Sequence, residues 1–182
     1  MSQKVDPTVA GLFLVGFITL FFGLLGMQIF QTGDMSLLGV AGKFICVIGA
    51  IIIMFAYMAG KAGNAYATAL FAFVAVSLFG VGFGLSVEAA GDGWNVLYAF
   101  PIVFYAIAIF YVVFAFVGFA IGAPKLMGLL LLFVAGLYFF VGLAIGPGDA
   151  PYSFMFGCFG LLSSIVATYM AIGLGTQRLP VF

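Results

Sequence analysis

Side chains that could carry acid, base or metal chemistry are scarce in this sequence. Histidine is absent, and the chain has five Asp or Glu residues, none of them spaced like a general acid and base pair. Cys46 and Cys158 lie in different apolar runs without a neighbouring base, so neither resembles an activated nucleophile. We therefore predict that the chain is not an enzyme, has no catalytic or metal-binding residues, and uses no cofactor.

The polar groups inside the apolar runs are hydroxyls. A serine or threonine hydroxyl in a helix can bond the carbonyl one turn earlier, whereas a tyrosine hydroxyl is too far from its own backbone to do so. A tyrosine at membrane depth must therefore reach another helix, a water or a solute. The hydroxyl residues are Thr19, Ser77, Tyr105, Tyr111, Tyr138, Ser163, Ser164 and Thr168.

The elements that must position these groups are membrane helices in a lipid bilayer. Of the 182 residues, 66% are hydrophobic and 5% are charged, against about one quarter charged in soluble domains. Net charge is +0 without a basic cluster, so nucleic acid is not an expected partner. A spanning helix needs about 20 apolar residues, which predicts an all-α single domain over residues 1–182, a bundle of six transmembrane helices. The predicted spans are 9–30, 37–59, 65–87, 94–120, 126–146 and 152–173.

Charged residues lie almost entirely between the spans, and their signs alternate. Basic residues near span ends usually face the cytoplasm, so both termini are predicted to be cytoplasmic. Asp6 on the basic side and Lys43 inside the second span depart from the pattern. The residues that set it are Lys4, Lys61, Lys125 and Arg178 on the inner side and Asp34, Glu88, Asp92 and Asp149 on the outer side.

Small residues recur at helical spacing in the first and sixth spans. Lipid gives helices no hydrophobic reason to associate, so close backbone approach must hold them together. These two spans are therefore predicted neighbours, with tight packing at Gly16, Gly23, Gly160 and Ala167.

Short segments along the whole chain follow one another in a recognisable order. They are DPTVAGL at 6–12, GNAY at 63–66, LAIG at 143–146, GCFGL at 157–161, ATYMAIG at 167–173 and LP at 179–180. In this order they resemble the acetate uptake transporter family, also called succinate-acetate permeases. The family's first span begins N-P-x-P-L-G-L, its third G-N-T-F, and its sixth reads G-x-x-G-L and then A-x-Y-x-A-x-G.

The resemblance has local departures. Asp6 stands where the family has a neutral Asn, Val9 replaces the second Pro of the first motif, and Ala65 replaces the Thr of the third-span motif. A Gln and a Glu usual in the family's second span fall on Ile52 and Ala59.

The resemblance also implies an assembly and a pore. It implies a homo-oligomer, a hexamer, with a pore through each protomer. The family's constriction combines an aromatic residue from the first span, a Tyr from the third and a Leu from the fifth. These positions correspond here to Val15, Val74 and, approximately, Leu143.

The polar turn between the second and third spans supplies candidate solute-binding residues. Asn64 is placed to cap the third span, whose positive end at the inner mouth favours a carboxylate, and Tyr66 can offer a hydroxyl. Alternatively, Asn64 is only a cap and Tyr66 only an interfacial anchor. Asp6 near the same mouth would repel an anion unless a lysine offsets it. Deeper along the path, a dehydrating constriction is predicted to include Phe17, Phe71, Phe140 and Leu143.

These features predict a plasma-membrane channel or transporter for acetate and similar short monocarboxylates. An alternative is a pore of the same architecture for small neutral solutes such as urea or short amides, which the apolar residues Ile52 and Ala59 favour. Another alternative is a non-transporting membrane scaffold or complex subunit, because scarce charge and apolar helices are equally typical of such proteins.

The predicted orientation can be tested by cysteine labelling. A single cysteine placed beside Asp92, in a background lacking Cys46 and Cys158, should react with an impermeant thiol reagent added to intact cells. Labelling only after permeabilisation would show that the orientation is the opposite of the predicted one.

Overall fold

The protein is a six-helix bundle. The computed structural model describes residues 7–27, 35–90, 96–145 and 150–176. Within them it has six helices long and apolar enough to cross a membrane, which confirms the predicted all-α, six-helix class. The helices are α1 (Pro7–Gly26), α2 (Met35–Lys61), α3 (Ala65–Ala90), α4 (Val96–Ala120), α5 (Lys125–Ile145) and α6 (Ala150–Thr176).

The helices begin and end near the predicted spans. α2, α3 and α6 extend past them, because a helix keeps its backbone hydrogen bonds where the apolar run stops. α1 ends at Gly26, and residues 28–30 of the first predicted span lie outside the described residues. So do Asp6 and most of the charged residues that set the predicted orientation: Lys4, Asp34, Asp92, Asp149 and Arg178.

Two tight turns join helices at the same end of the bundle. Gly63 has φ +78° and Gly122 has φ +74°, a conformation that glycine adopts without steric cost. After α2, the Asn64 N–H donates to the Ala59 carbonyl at 3.0 Å, and after α4 the Ala123 N–H donates to the Gly118 carbonyl at 2.9 Å. Both helices therefore end in the same glycine-dependent cap.

The helices form a ring in chain order. α2 packs closely on α3, α1 on α6, and α5 on both α4 and α6, while the contacts of α1 with α2 and of α3 with α4 are sparser. The sparser contacts leave room beside α1 and α3 at the centre of the bundle.

The contact between α1 and α6 is made by glycines. A Cβ placed on Gly160 would lie 2.6 Å from the Gly23 Cα, and one on Gly16 would lie 3.5 Å from the Ala167 Cβ. The structure thus places the four residues of the predicted packing stripe at this antiparallel contact, where there is no volume for a larger side chain.

A second glycine contact, not predicted from the sequence, joins α2 and α3. A Cβ placed on Gly42 would lie 2.9 Å from the Ser86 nitrogen, and one on Gly82 would lie 2.9 Å from the Cys46 nitrogen. Cys46 is a free thiol inside this contact, and Cys158 is also free.

Replacing a glycine inside the α1–α6 contact should destabilise the bundle. We expect Gly160→Ala to cost about 1–3 kcal/mol of unfolding free energy, because the new methyl group would overlap the Gly23 backbone. Gly80→Ala is the matched control, since a Cβ there meets nothing within 4 Å. Thermal unfolding in detergent measures both, and equal melting temperatures would show that the contact is not tight.

Candidate functional site

A cavity of about 30 Å³, named here the central cavity, lies at the middle of the bundle. Its walls come from α1, α3, α4 and α5, and it is large enough to admit a water molecule. It is lined by Val15, Ile18, Thr19, Phe22, Val74, Leu78, Tyr111, Val134, Leu137 and Tyr138.

Helical spacing explains which face of α1 lines the central cavity. Val15, Ile18, Thr19 and Phe22 recur every three or four residues and so share one face. Gly16 lies about a quarter turn away on the helix, on the side that packs on α6. Docking on α6 therefore turns the larger side chains of α1 inward.

A wider cavity of about 280 Å³, named here the end cavity, adjoins the central one. The two share Phe22, Leu137 and Tyr138. The end cavity reaches Gly26 and Ile145, the last residues of α1 and α5, so the pair traces a route from the middle of the bundle to one end. The predicted orientation makes that end the outer one.

Hydroxyl groups supply the polarity of the central cavity. Tyr111 and Tyr138 are buried and stack with ring centroids 5.5 Å apart and planes at 15°. The Tyr111 hydroxyl is a hydrogen-bond partner of the Ser77 hydroxyl. Ser77 donates to the Phe73 carbonyl and Thr19 to the Val15 carbonyl, both at 2.8 Å, which confirms the expected bonds to the preceding turn.

The chemistry available along this route is hydrogen bonding and apolar contact. Among the described residues lining the two cavities there is no Asp, Glu, Lys or Arg. The described part of the chain also contains no group of three or more potential metal ligands. The arrangement suits the passage of a small solute.

Comparison with solved structures finds this architecture in a known protein. The chain aligns with a structure described as "Structure of the bacterial acetate channel SatP" at a TM-score of 0.81 and 18% sequence identity, covering 99% of this chain and 100% of that one. The chain has the SatP fold. The resemblance in the sequence is thereby confirmed at the level of fold. No family model matches the sequence, and no curated protein matches it significantly.

Within the SatP fold, Asn64 and Tyr66 lie at the end of the bundle that carries the two glycine turns. The exposed Asn64 caps α3, its Oδ1 accepting the Ala67 N–H at 3.0 Å. The Tyr66 hydroxyl donates to the Phe114 carbonyl of α4 at 2.9 Å. Both side chains thus have structural partners, and their binding of solute stays a prediction.

The four residues predicted to form a constriction are dispersed and are not among those lining the two cavities. Phe17 is 50% exposed and contacts Phe44 of α2. It follows Val15 by two residues, and two residues along a helix turn the side chain to almost the opposite face of α1. Phe71 is buried against Gly11 of α1, and Phe140 stacks on Phe159 of α6 at 5.4 Å.

Leu143 is half-buried in α5, and its neighbour Ala144 lines the end cavity. The structure places Val15 and Val74, which the resemblance in the sequence matches to the family's constriction, in the wall of the central cavity. Phe22 and Leu137, shared by both cavities, were missed. The only signal for Phe22 in the sequence is its helical spacing from Val15. This spacing does not single out Phe22, because apolar residues surround each helix.

The cap at Asn64 can be separated from any role in binding. We expect Asn64→Ala to lower the unfolding free energy by about 1 kcal/mol, because the Ala67 N–H loses its acceptor. Asn64→Ser keeps an acceptor and should retain most of the stability. Thermal unfolding in detergent compares them, and equal stability of Asn64→Ala and the parent would contradict the cap. An Asn64→Ser protein of normal stability that takes up less acetate would support the binding role.

Proposed function

We propose that this protein is a plasma-membrane channel or transporter for acetate and similar short monocarboxylates. Solute passes through each protomer along the end cavity and the central cavity, between α1, α3, α4 and α5. The role is not catalytic. Both termini are cytoplasmic, so the end cavity opens to the outside.

The observation that carries this proposal is a pair of cavities that share the wall residues Phe22, Leu137 and Tyr138 inside a SatP fold. A pore through a single protomer needs a route across the whole bundle, and these cavities supply the part of it from one end to the middle. The walls of the central cavity are mostly aliphatic, which suits the methyl group of acetate, and its hydroxyls suit the polar end.

Two valines line the central part of the proposed route. Val15 and Val74 replace the aromatic residue and the tyrosine that the family places at its constriction. Both valines line the central cavity, where a short branched side chain occupies less space than a ring. At these two positions the proposed route is therefore lined by short apolar side chains in place of a bulky aromatic pair.

A pore for small neutral solutes such as urea or short amides is a second candidate. It is favoured by the lack of Asp, Glu, Lys and Arg among the described lining residues. An amide has nearly the size of acetate and the same need for hydrogen bonds, so the two candidates share one route.

The proposal includes a homo-oligomer, a hexamer by resemblance to the family. Phe17 and Phe44 form an aromatic contact with ring centroids 6.0 Å apart on the outer surface of the protomer. They are 50% and 40% exposed, so this surface is available to a second protomer or to lipid.

A cysteine at Val74 should make transport sensitive to thiol reagents. In a background lacking Cys46 and Cys158, Val74→Cys proteoliposomes should lose most acetate uptake after reaction with a small methanethiosulfonate, because the added group fills the central cavity. Val76→Cys is the matched control on the same helix. Val76 is 66% exposed and lies outside the cavity walls, so its modification should leave uptake unchanged.

Mass spectrometry of each variant verifies that the thiol has reacted. Undiminished uptake by modified Val74→Cys protein would contradict the proposed route. Acetate uptake no faster than in protein-free liposomes, by the unmodified parent, would contradict the transport function.

A further inference from the structure

The central cavity ends part-way along the bundle on the side of the two glycine turns. The lining residues nearest that end are Val15 in α1, Val74 in α3, Tyr111 in α4 and Val134 in α5. Each of them lies roughly two helical turns from the end of its helix on that side. This interval is the part of the proposed route that the central and end cavities do not supply.

One turn closer to the glycine turns, the same four helices carry a layer of buried residues, named here the inner layer. Each member is three or four residues from a lining residue of the central cavity on its own helix, and therefore continues the same helix face. The inner layer thus lies across the route. Its members are Gly11, Phe71, Ala115 and Leu131.

Phe71 bridges the inner layer from α3 to α1. A Cβ placed on Gly11 would lie 2.5 Å from the Phe71 Cζ and 2.7 Å from its Cε1, so the tip of the ring rests on the α1 backbone. α1 and α3 pack less closely on each other than any two helices that are neighbours in the ring, so the side chain of Phe71 occupies the gap between them. Phe71 is 2% exposed. While its ring stays there, a solute in the central cavity cannot continue toward the glycine turns.

Phe71 is also the residue of the inner layer whose movement opens the largest space. Gly11 and Ala115 have no side chain that can turn away, whereas a phenylalanine ring moves between staggered rotamers about its Cα–Cβ bond. The residue that opposes the ring is a glycine, so no side chain of Gly11 enters the gap when the ring leaves. Rotation of one side chain requires no displacement of the tightly packed helix pairs.

We infer that Phe71 is the inner gate of this pore: its ring closes the route by resting on Gly11, and it turns away from Gly11 when a solute passes. This rests on the proposed function, in which the central cavity is part of the route. Phe71 lies at the end of the central cavity and not in its walls, so its role differs from that of Val15 and Val74. The inner layer is apolar, and when closed it excludes water and ions as well.

Thiol accessibility tests the gate independently of transport rate. In a background lacking Cys46 and Cys158, Val74→Cys should not react with a membrane-impermeant methanethiosulfonate added to sealed vesicles on the side of the glycine turns. The same cysteine combined with Phe71→Ala should react from that side. A separate Lys61→Cys protein, exposed beside the turn after α2, reports which vesicles present that side to the reagent. Equal reactivity of Val74→Cys with and without Phe71→Ala, measured by mass spectrometry, would overturn the inference.

Transport rate provides a second test. Phe71→Ala should raise the initial rate of acetate uptake into proteoliposomes by roughly tenfold, because passage no longer requires the ring to leave a packed contact. Phe71→Leu keeps an apolar side chain without a ring and should give an intermediate rate. Folded Phe71→Ala and Phe71→Leu proteins that both transport acetate no faster than the parent would contradict the gate.

Phe133→Ala is the matched control for removal of a ring. Phe133 is half-buried in α5 and contacts Phe159 of α6, with ring centroids 6.2 Å apart, but it lines neither cavity and is not part of the inner layer. Acetate uptake and the accessibility of Val74→Cys should be unchanged by this substitution. If Phe133→Ala has the same effects as Phe71→Ala, loosening of the whole bundle explains both and the gate is wrong.

Gly11→Ala tests the contact between the ring and α1. The new methyl group would overlap the tip of the Phe71 ring, so Gly11→Ala should lower the melting temperature of the parent. In the Phe71→Ala background the methyl group meets no ring, and its effect should be smaller. Equal losses in the two backgrounds would show that the ring does not rest on Gly11.

Failure of the gate can be distinguished from failure of the proposed function. If modification of Val74→Cys blocks acetate uptake but Phe71→Ala changes neither rate nor accessibility, the route stands and the gate is wrong. If the parent transports no acetate, the proposed function is wrong. The accessibility of Val74→Cys would still decide in that case whether Phe71 closes this end of the bundle.

Discussion

The close approach of backbones at glycines is the interaction on which the rest of this structure depends. In hydrocarbon, helices gain nothing by burying apolar side chains against one another, so contact must come from shape. Gly23 and Gly160 let α1 and α6 touch backbone to backbone, and Gly42 and Gly82 do the same for α2 and α3. These contacts form two tightly packed helix pairs, α1 with α6 and α2 with α3, and α4 and α5 complete the ring.

The same contacts produce the route at the centre. Because the small residues of α1 are occupied by α6, its larger side chains, among them Ile18 and Phe22, face the middle of the bundle. Branched and aromatic side chains from four helices do not fill that space, and the central cavity remains. Tight packing at the glycine pairs and loose packing at the centre are consequences of one arrangement.

Polarity in this bundle is governed by where hydroxyl protons are held. Where water is scarce, a helix carbonyl one turn earlier is the nearest acceptor, and Thr19, Ser77 and Ser163 all use it. Among the described residues, no buried side-chain oxygen or nitrogen is without a hydrogen-bond partner. In each of these residues the helix backbone holds the hydroxyl proton, and the lone pairs of the oxygen remain able to accept.

The sequence by itself determined the class of the protein, the number of helices and the glycine stripe of α1 and α6, because apolar length, scarce charge and small residues at helical spacing are local properties. It did not determine which aromatic rings face the route. Apolar residues surround every helix, so nothing in the pattern separates the inner face from the lipid face, and Phe17, predicted to lie along the path of the solute, is half exposed in the structure. Only the tertiary structure decided that Ser77 meets Tyr111 and that Tyr138 stacks beside it, because these residues belong to three different helices and meet only when the bundle closes.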